Sequence, residues 1–206
     1  MPPKFLYFDL GNVLLYFDHR RAARQMAEVA GVTQEQVWDA LWTCGLQLKL
    51  EAGLVSPSEF YEAFCAEVGT RPDFEALSHA ASDMFRLNVS IVPLVAALAQ
   101  ARYRMGILSN TSLIHWSFYS NGRFTIVPAL FEVVALSFEL KALKPEGRIY
   151  RSAAELAGVR PEEIFFVDDT AGHVQGAKDE RFDALQYTDT PNLAAELRRR
   201  GVRFNY

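Results

Sequence analysis

Cysteine is nearly absent: the 206 residues hold only Cys44 and Cys65. Both fall within helical patterns and make no ligand-spaced pair, so a disulfide scaffold or a thiolate metal site is excluded. Reduced, partly buried thiols are expected instead. Long apolar runs are missing as well. No stretch approaches the roughly 20 residues that a membrane span needs, and the N-terminus lacks a basic-then-apolar leader pattern. No membrane association is therefore expected, and the cytoplasm is the expected address. Concentrated positive charge is also lacking. The formal net charge is −4, and the largest Lys/Arg block is Arg198-Arg199-Arg200. That triplet sits in a helix expected over 192–200, where cations suit the C-terminal end. A nucleic-acid footprint needs a far more basic face, so that class is excluded. Repeats, low-complexity tracts and long linkers are absent too. What is present is globular composition, 50% apolar and 22% charged. The length suits one core domain with a smaller insertion, as a monomer or homodimer.

The chain begins with an apolar and aromatic run, Lys4 to Phe8, that stops at a lone carboxylate, Asp9. Gly11 and Asn12 follow and let the backbone turn sharply. A carboxylate at the C-terminal end of a buried parallel strand lies where open α/β sheets bind ligands. It can serve there as nucleophile or metal ligand, or merely cap the turn. From Tyr16 to Asn88 the patterns are helical, with no convincing strand. Helices are expected over 19–30, from the capping box Thr33-Gln36, from Ser56-Pro57-Ser58-Glu59, and over 73–85. From Ile91 onward helices alternate with short strands, at Tyr103 to Leu108, Val133 to Leu136, Ile164 to Val167 and Asp183 to Tyr187. Alternation of this kind predicts an α/β fold with a parallel sheet. The expected domains are a core, residues 1–15 and 89–206, and an inserted all-helical cap, residues 16–88.

Four segments carry candidate chemistry: Asp9, Ser109-Asn110, Lys144-Pro145 and Asp168-Asp169. Ser-Asn after a strand is also an ordinary turn, and Lys-Pro an ordinary helix boundary. The doubled aspartate is harder to explain by packing. Adjacent like charges at a buried strand end repel unless a cation or hydrogen bonds offset them. A nucleophilic carboxylate, a hydroxyl, an ammonium and a divalent cation together make the set used in phosphoryl transfer through an aspartyl-phosphate.

These segments resemble, in order and spacing, the haloacid dehalogenase-like hydrolase superfamily. Phe8-Asp9-Leu10-Gly11-Asn12-Val13-Leu14 is similar to its first motif and Ile107-Leu108-Ser109-Asn110-Thr111 to its second. Leu143-Lys144-Pro145-Glu146-Gly147-Arg148-Ile149-Tyr150 resembles the third, and Ile164-Phe165-Phe166-Val167-Asp168-Asp169-Thr170-Ala171 the fourth. The helical insertion, including Glu51-Ala52-Gly53-Leu54-Val55-Ser56-Pro57-Ser58-Glu59-Phe60, looks like the small helical cap of one subgroup. The resemblance implies a Rossmann-like five-stranded sheet in the order 5-4-1-2-3. It implies Asp9 as nucleophile and Mg²⁺ ligand, with Ser109, Asn110 and Lys144 as phosphate-binding and charge-neutralising groups. Asp169 and the Gly11 carbonyl would ligate Mg²⁺, and Asp168 would hold a metal-bound water.

One position departs from the pattern. Many phosphatases of the superfamily carry an Asp two residues after the nucleophile as general acid/base, and here it is Gly11. A general acid typically supplies about 10²–10⁴-fold. The substitutes considered are a metal-bound water, the substrate's own hydroxyl, and His173, which otherwise reads as a surface residue at a helix start. The Asp-Leu-Gly-Asn-Val form also resembles a branch of sugar-phosphate phosphatases. Tyr16, His19, Arg20 and Arg21 are expected to face the pocket, and Trp38, Trp42, Phe60, Tyr61 and Phe64 to pack inside the helical insertion. His79 and His115 are assigned no role. The Lys141 region departs from a glycine frequent in the superfamily. The expectation is a Mg²⁺-dependent phosphomonoester hydrolase of a small phosphorylated metabolite. The alternatives are 2-haloacid dehalogenation and a catalytically impaired phosphate-binding module.

Overall fold

A computed structural model describes residues 2–206. The chain runs β1 (Phe5–Phe8), β2 (Leu15–Tyr16), α1 (His19–Ala30), α2 (Gln34–Trp38), a π-turn (Asp39–Thr43), α3 (Leu46–Glu51), α4 (Pro57–Val68), α5 (Phe74–Ser82) and β3 (Arg86–Leu87). It continues α6 (Val92–Gln100), β4 (Met105–Ser109), α7 (Leu113–Tyr119), β5 (Val133–Leu136), α8 (Ser137–Leu140), α9 (Gly147–Ala157), a 3₁₀ turn (Pro161–Glu163), β6 (Ile164–Asp168), α10 (Ala171–Asp179), β7 (Asp183–Gln186) and α11 (Thr190–Arg199).

Five strands form a parallel sheet in the order β5-β4-β1-β6-β7. These labels depart from the expected 5-4-1-2-3 because β2 and β3, missed in the sequence, take second and third place along the chain. They pair antiparallel as a two-residue ribbon, Leu15 opposite Leu87 and Tyr16 opposite Arg86. Two residues per strand are too few to show a period, so the ribbon left no pattern. It also shortens α5, expected to reach Phe85, to end at Ser82. Beside the ribbon, buried Asn88 donates to the Val13 carbonyl (2.8 Å) and the Tyr187 hydroxyl (3.0 Å), closing the helical insertion at its return.

The continuous apolar sequence of β1 follows from its central place, since both of its faces are covered. Leu6 and Phe8 point into a cluster with Met105, Ile107, Phe165 and Val167 beneath α6 and α11. Phe5 and Tyr7 point the other way, against Ile149, Tyr150 and Ala153 of α9. A third cluster, with Met26, Val37, Phe60, Phe64 and Leu77, belongs to the helical insertion, and Ile114 of α7 packs against it. Its helices start where expected: Thr33 and Gln36 close a capping box on α2, and Ser56 and Glu59 close one on α4 behind Pro57. Trp38 departs from expectation. It stays 37% exposed, stacked on Trp42 rather than packed inside. Cys65 is buried but Cys44 is exposed, and both thiols are free. Lys141 ends α8 at φ 51°, a left-handed conformation that explains why glycine suits the position. Among the described residues no helix is long and apolar enough to cross a membrane.

Candidate active site

Parallel pairing of β1 with β4 on one side and β6 on the other brings three strand ends together. Asp9 follows β1, Ser109 ends β4 and Asp168 ends β6, so residues distant in sequence meet at the point where the strand order reverses. Lys144 reaches the same point from the loop before α9. Its Nζ lies 2.8 Å from Asp9 Oδ1 and 2.5 Å from Asp168 Oδ2, and also donates to the Leu108 carbonyl. The Lys144 and Asp168 side chains are fully buried. Asn110 holds the lysine loop in place. Its Oδ1 accepts from the Lys144 backbone N–H (2.8 Å) and its Nδ2 donates to the Lys144 carbonyl (3.1 Å).

Two carboxylates share one ammonium, and their environments separate them. Burial drives Asp9 up to about 6, against the pull of Lys144 and the Ser109 hydroxyl. Burial also raises Asp168, but Lys144 and His173 outweigh it and hold that group down to about 2. The difference follows the geometry. Asp168 has the shorter contact to Lys144, and its Oδ1 accepts from the Thr170 N–H (2.8 Å) and lies 3.1 Å from His173 Nδ1. Lys144 is itself pushed down by burial, yet the two carboxylates more than compensate and raise it, so it stays charged.

The strand ends open into a cavity of about 240 Å³. From the core it is lined by Asp9, Gly11, Ser109, Asn110, Lys144, Asp169, Thr170 and His173. The helical insertion contributes Phe17, His19, Glu51, Met84 and Phe85, and the segment after β4 contributes Thr111, His115 and Tyr119. The cavity is below the usual range for drug-sized ligands, which favours a small substrate. Asp9, Gly11 and Asp169 all line this space, and carboxylate and carbonyl oxygens are the hard donors that suit Mg²⁺. Asn12 steadies this set by donating to Asp169 Oδ2 (2.9 Å). Ligand atoms of Asp9, Asp168 and His173 also lie within 4.8 Å of one another. That trio suits the ion less well, because Asp168 is already bound to Lys144 and imidazole is a softer donor.

Of the residues expected to face the pocket, only His19 lines this cavity. Tyr16 and Arg21 line a separate surface groove, Arg21 paired with Asp83 at 2.7 Å, and Arg20 is exposed. His173 is not a surface residue but is half-buried against Asp168. His115, given no role from the sequence, is buried in the cavity wall. Burial lowers it to about 4, with His19 nearby adding to the shift. Glu51 and Tyr119 were also missed. The Glu51–Phe60 stretch was a signal for the first, whereas nothing in the helical pattern around Tyr119 marked it.

Fold and site together define an α/β enzyme with a buried carboxylate–ammonium cluster at the strand ends. The sequence profile of haloacid dehalogenase-like hydrolases matches residues 4–179, and the chain belongs to that family. It is 31% identical over 183 residues to Phosphatase MT3486 of Mycobacterium tuberculosis (strain CDC 1551 / Oshkosh), covering 83% of this chain and 81% of the relative. Among solved structures it resembles the HAD family enzyme BT-2542 of Bacteroides thetaiotaomicron, in complex with magnesium and inorganic phosphate. The TM-score there is 0.81 at 26% identity, over 91% of this chain and 95% of that one. It also shares the fold of L-2-haloacid dehalogenase from Xanthobacter autotrophicus, with a TM-score of 0.63 at 23% identity over 98% and 84% of the two chains.

Proposed function

We propose that this hydrolase is a Mg²⁺-dependent phosphatase that cleaves a small phosphorylated metabolite through an aspartyl-phosphate on Asp9. The observation that carries the reading is the buried Asp9–Lys144–Asp168 cluster beside the half-buried Asp169. Asp9 attacks phosphorus, and the Ser109 hydroxyl and Lys144 ammonium hold the phosphoryl oxygens. Asp168 acts through Lys144, fixing its position and keeping it protonated. Asp9, Asp169 and the Gly11 carbonyl are the residues that would hold Mg²⁺, with Asp168 reaching it through a water only if one of its oxygens is freed. When bound, the ion supplies positive charge against the nucleophile and the phosphate, which otherwise repel. Residues 16–88 act as a cap over a core of residues 1–15 and 89–206, and restrict the site to small leaving groups.

The test is phosphate release from p-nitrophenyl phosphate with Mg²⁺ or with a chelator, using Asp9→Asn as control. Metal-dependent turnover that Asp9→Asn abolishes is the expected result. Absence of turnover above Asp9→Asn would leave a phosphate-binding module, and halide release from 2-chloropropionate in chelator would favour dehalogenation. The second outcome conflicts with the doubled aspartate, since a metal-free site gains nothing from the extra charge.

A further inference from the structure

Gly11 leaves the nucleophile without the neighbouring acid that protonates a departing alkoxide. The cavity holds few groups able to take that part. Asp168 and His173 are bound to each other, and Lys144 is bound to both carboxylates. His19 and His115 are both pushed down by burial. Burial therefore favours their neutral forms, which are weak acids. Asp169 is a candidate metal ligand, and the one further carboxyl among the residues lining the cavity, Glu51, belongs to the helical insertion. Resting on the phosphatase reading, we propose that Glu51, at the end of α3 in the helical insertion, is the proton donor of this enzyme. It would protonate the leaving group in the first step and take a proton from water in the second.

Three observations support the assignment. Glu51 lines the cavity that Asp9, Ser109 and Lys144 line from below. Its Oε1 accepts from Gln47 Nε2 at 2.8 Å, and among the described residues no cation makes an ion pair with it. Its backbone is fastened to the core. Ser137 Oγ donates to the Glu51 carbonyl (2.6 Å) and accepts from the Thr111 N–H (2.9 Å), while the Thr111 hydroxyl meets Tyr119. The segment that carries Ser109 and Asn110 therefore also positions Glu51. Gly53 permits the contact, since a Cβ there would lie 2.2 Å from the Phe138 carbonyl oxygen. A side chain on a mobile cap would not need a joint this close.

The charge environment fits the task. Gln47 of its own helix contacts the carboxyl, and the titratable groups that share the cavity with it are Lys144, Asp9 and Asp169 from the core, Tyr119 and His115 from α7, His19 from α1 and His173 from α10. Burial raises the Glu51 carboxyl, with Gln47 and the more distant Lys144 opposing. A raised carboxyl retains its proton closer to neutrality, as a general acid requires. In the first step an Asp9 oxygen bonds to phosphorus. The bond from phosphorus to the leaving oxygen breaks, and its electron pair takes the Glu51 proton. In the second step water attacks phosphorus and gives a proton to the Glu51 carboxylate. The bond to Asp9 breaks, releasing inorganic phosphate and restoring both side chains.

The test compares wild type with Glu51→Gln on p-nitrophenyl phosphate and on glycerol 2-phosphate, in Mg²⁺. Glutamine keeps the backbone carbonyl bonded by Ser137, so the seat survives, and an unchanged Tm checks it. The alkyl ester needs the proton and should lose about 10²–10³-fold in kcat/KM. The aryl ester leaves as a stable anion and should lose less than about 10-fold. Its kcat should fall further, with a burst of p-nitrophenol, because activation of water is impaired. The high-pH limb of kcat/KM for glycerol 2-phosphate should disappear in the variant. Equal effects on the two esters, or an unchanged pH profile, would overturn the proposal. Wild-type turnover no higher than that of Asp9→Asn would instead bring down the phosphatase reading, and this one with it.

Discussion

Replacing Gly53 by alanine probes the joint between helical insertion and core. Gly53 sits at φ 64°, and a Cβ there would meet the Phe138 carbonyl oxygen at 2.2 Å and its carbon at 3.0 Å. Non-bonded carbon atoms settle near 3.5–4.0 Å, so one backbone must retreat from the other by roughly 1 Å. Neither can rotate aside, because both are main chain. A retreat of that size stretches the 2.6 Å Ser137–Glu51 bond out of hydrogen-bonding range. The left-handed conformation itself costs a β-carbon about 1–2 kcal/mol. Breaking the Ser137–Glu51 bond adds roughly 0.5–1.5 kcal/mol, because the Ser137 hydroxyl keeps the Thr111 carbonyl (3.0 Å) as acceptor. Gly69→Ala isolates the first contribution, since Gly69 has φ 74° and open space where its Cβ would be. Urea denaturation should therefore show Gly53→Ala less stable than Gly69→Ala by roughly 0.5–1.5 kcal/mol. Displacing Glu51 by about 1 Å should also cut glycerol 2-phosphate turnover by about 10²-fold, with Gly69→Ala near wild type. Equal destabilisation by the two variants, with equal turnover, would refute the claim that this contact fastens the cap.

Lys144→Met removes the cation between two buried carboxylates and should destabilise the protein by about 3–5 kcal/mol at pH 8 in chelator. Asp9 and Asp168 would then titrate in the fold above their unfolded values and bind protons there. Stability lost at pH 8 should therefore return towards pH 5, and a urea series that shows no such recovery would mean that the two carboxylates are not uncompensated. His115 makes the opposite contribution. Its folded value of about 4 lies below the ordinary 6.5, so the unfolded chain takes up the proton first. Its stabilisation, about 3 kcal/mol, is complete above pH 6.5 and is lost as pH falls towards 4. His115→Phe should flatten that part of the urea-measured pH profile, and an identical slope in both proteins would count against the burial argument.

The sheet was legible because each core strand is a compact apolar run stopped by a chemistry-bearing residue. Asp9, Ser109 and Asp168 stand at strand ends by their place in sequence, and parallel pairing then assembles them. The ribbon was not legible, because Leu15–Tyr16 and Arg86–Leu87 are too short for alternation and exist only through each other. Pocket-facing residues after the catalytic turn were misplaced for a related reason. The order Tyr16 to Arg21 names neighbours along the chain, but the start of α1 turns His19 inward and leaves Arg20 in solvent.

Local sequence by itself determined which residues end strands, where helices are capped and which four segments carry reactive groups, because these depend on periodicity and nearest-neighbour chemistry. Only the tertiary structure decided the protonation contrast between Asp9 and Asp168. Both are aspartates after apolar strands, and distance to one lysine and the count of buried donors separate them. It also decided that Glu51 lines the same cavity as Asp9, 42 positions away in sequence. That meeting requires the helical insertion to fold back and Gly53 to let two backbones touch, a condition that no local pattern records.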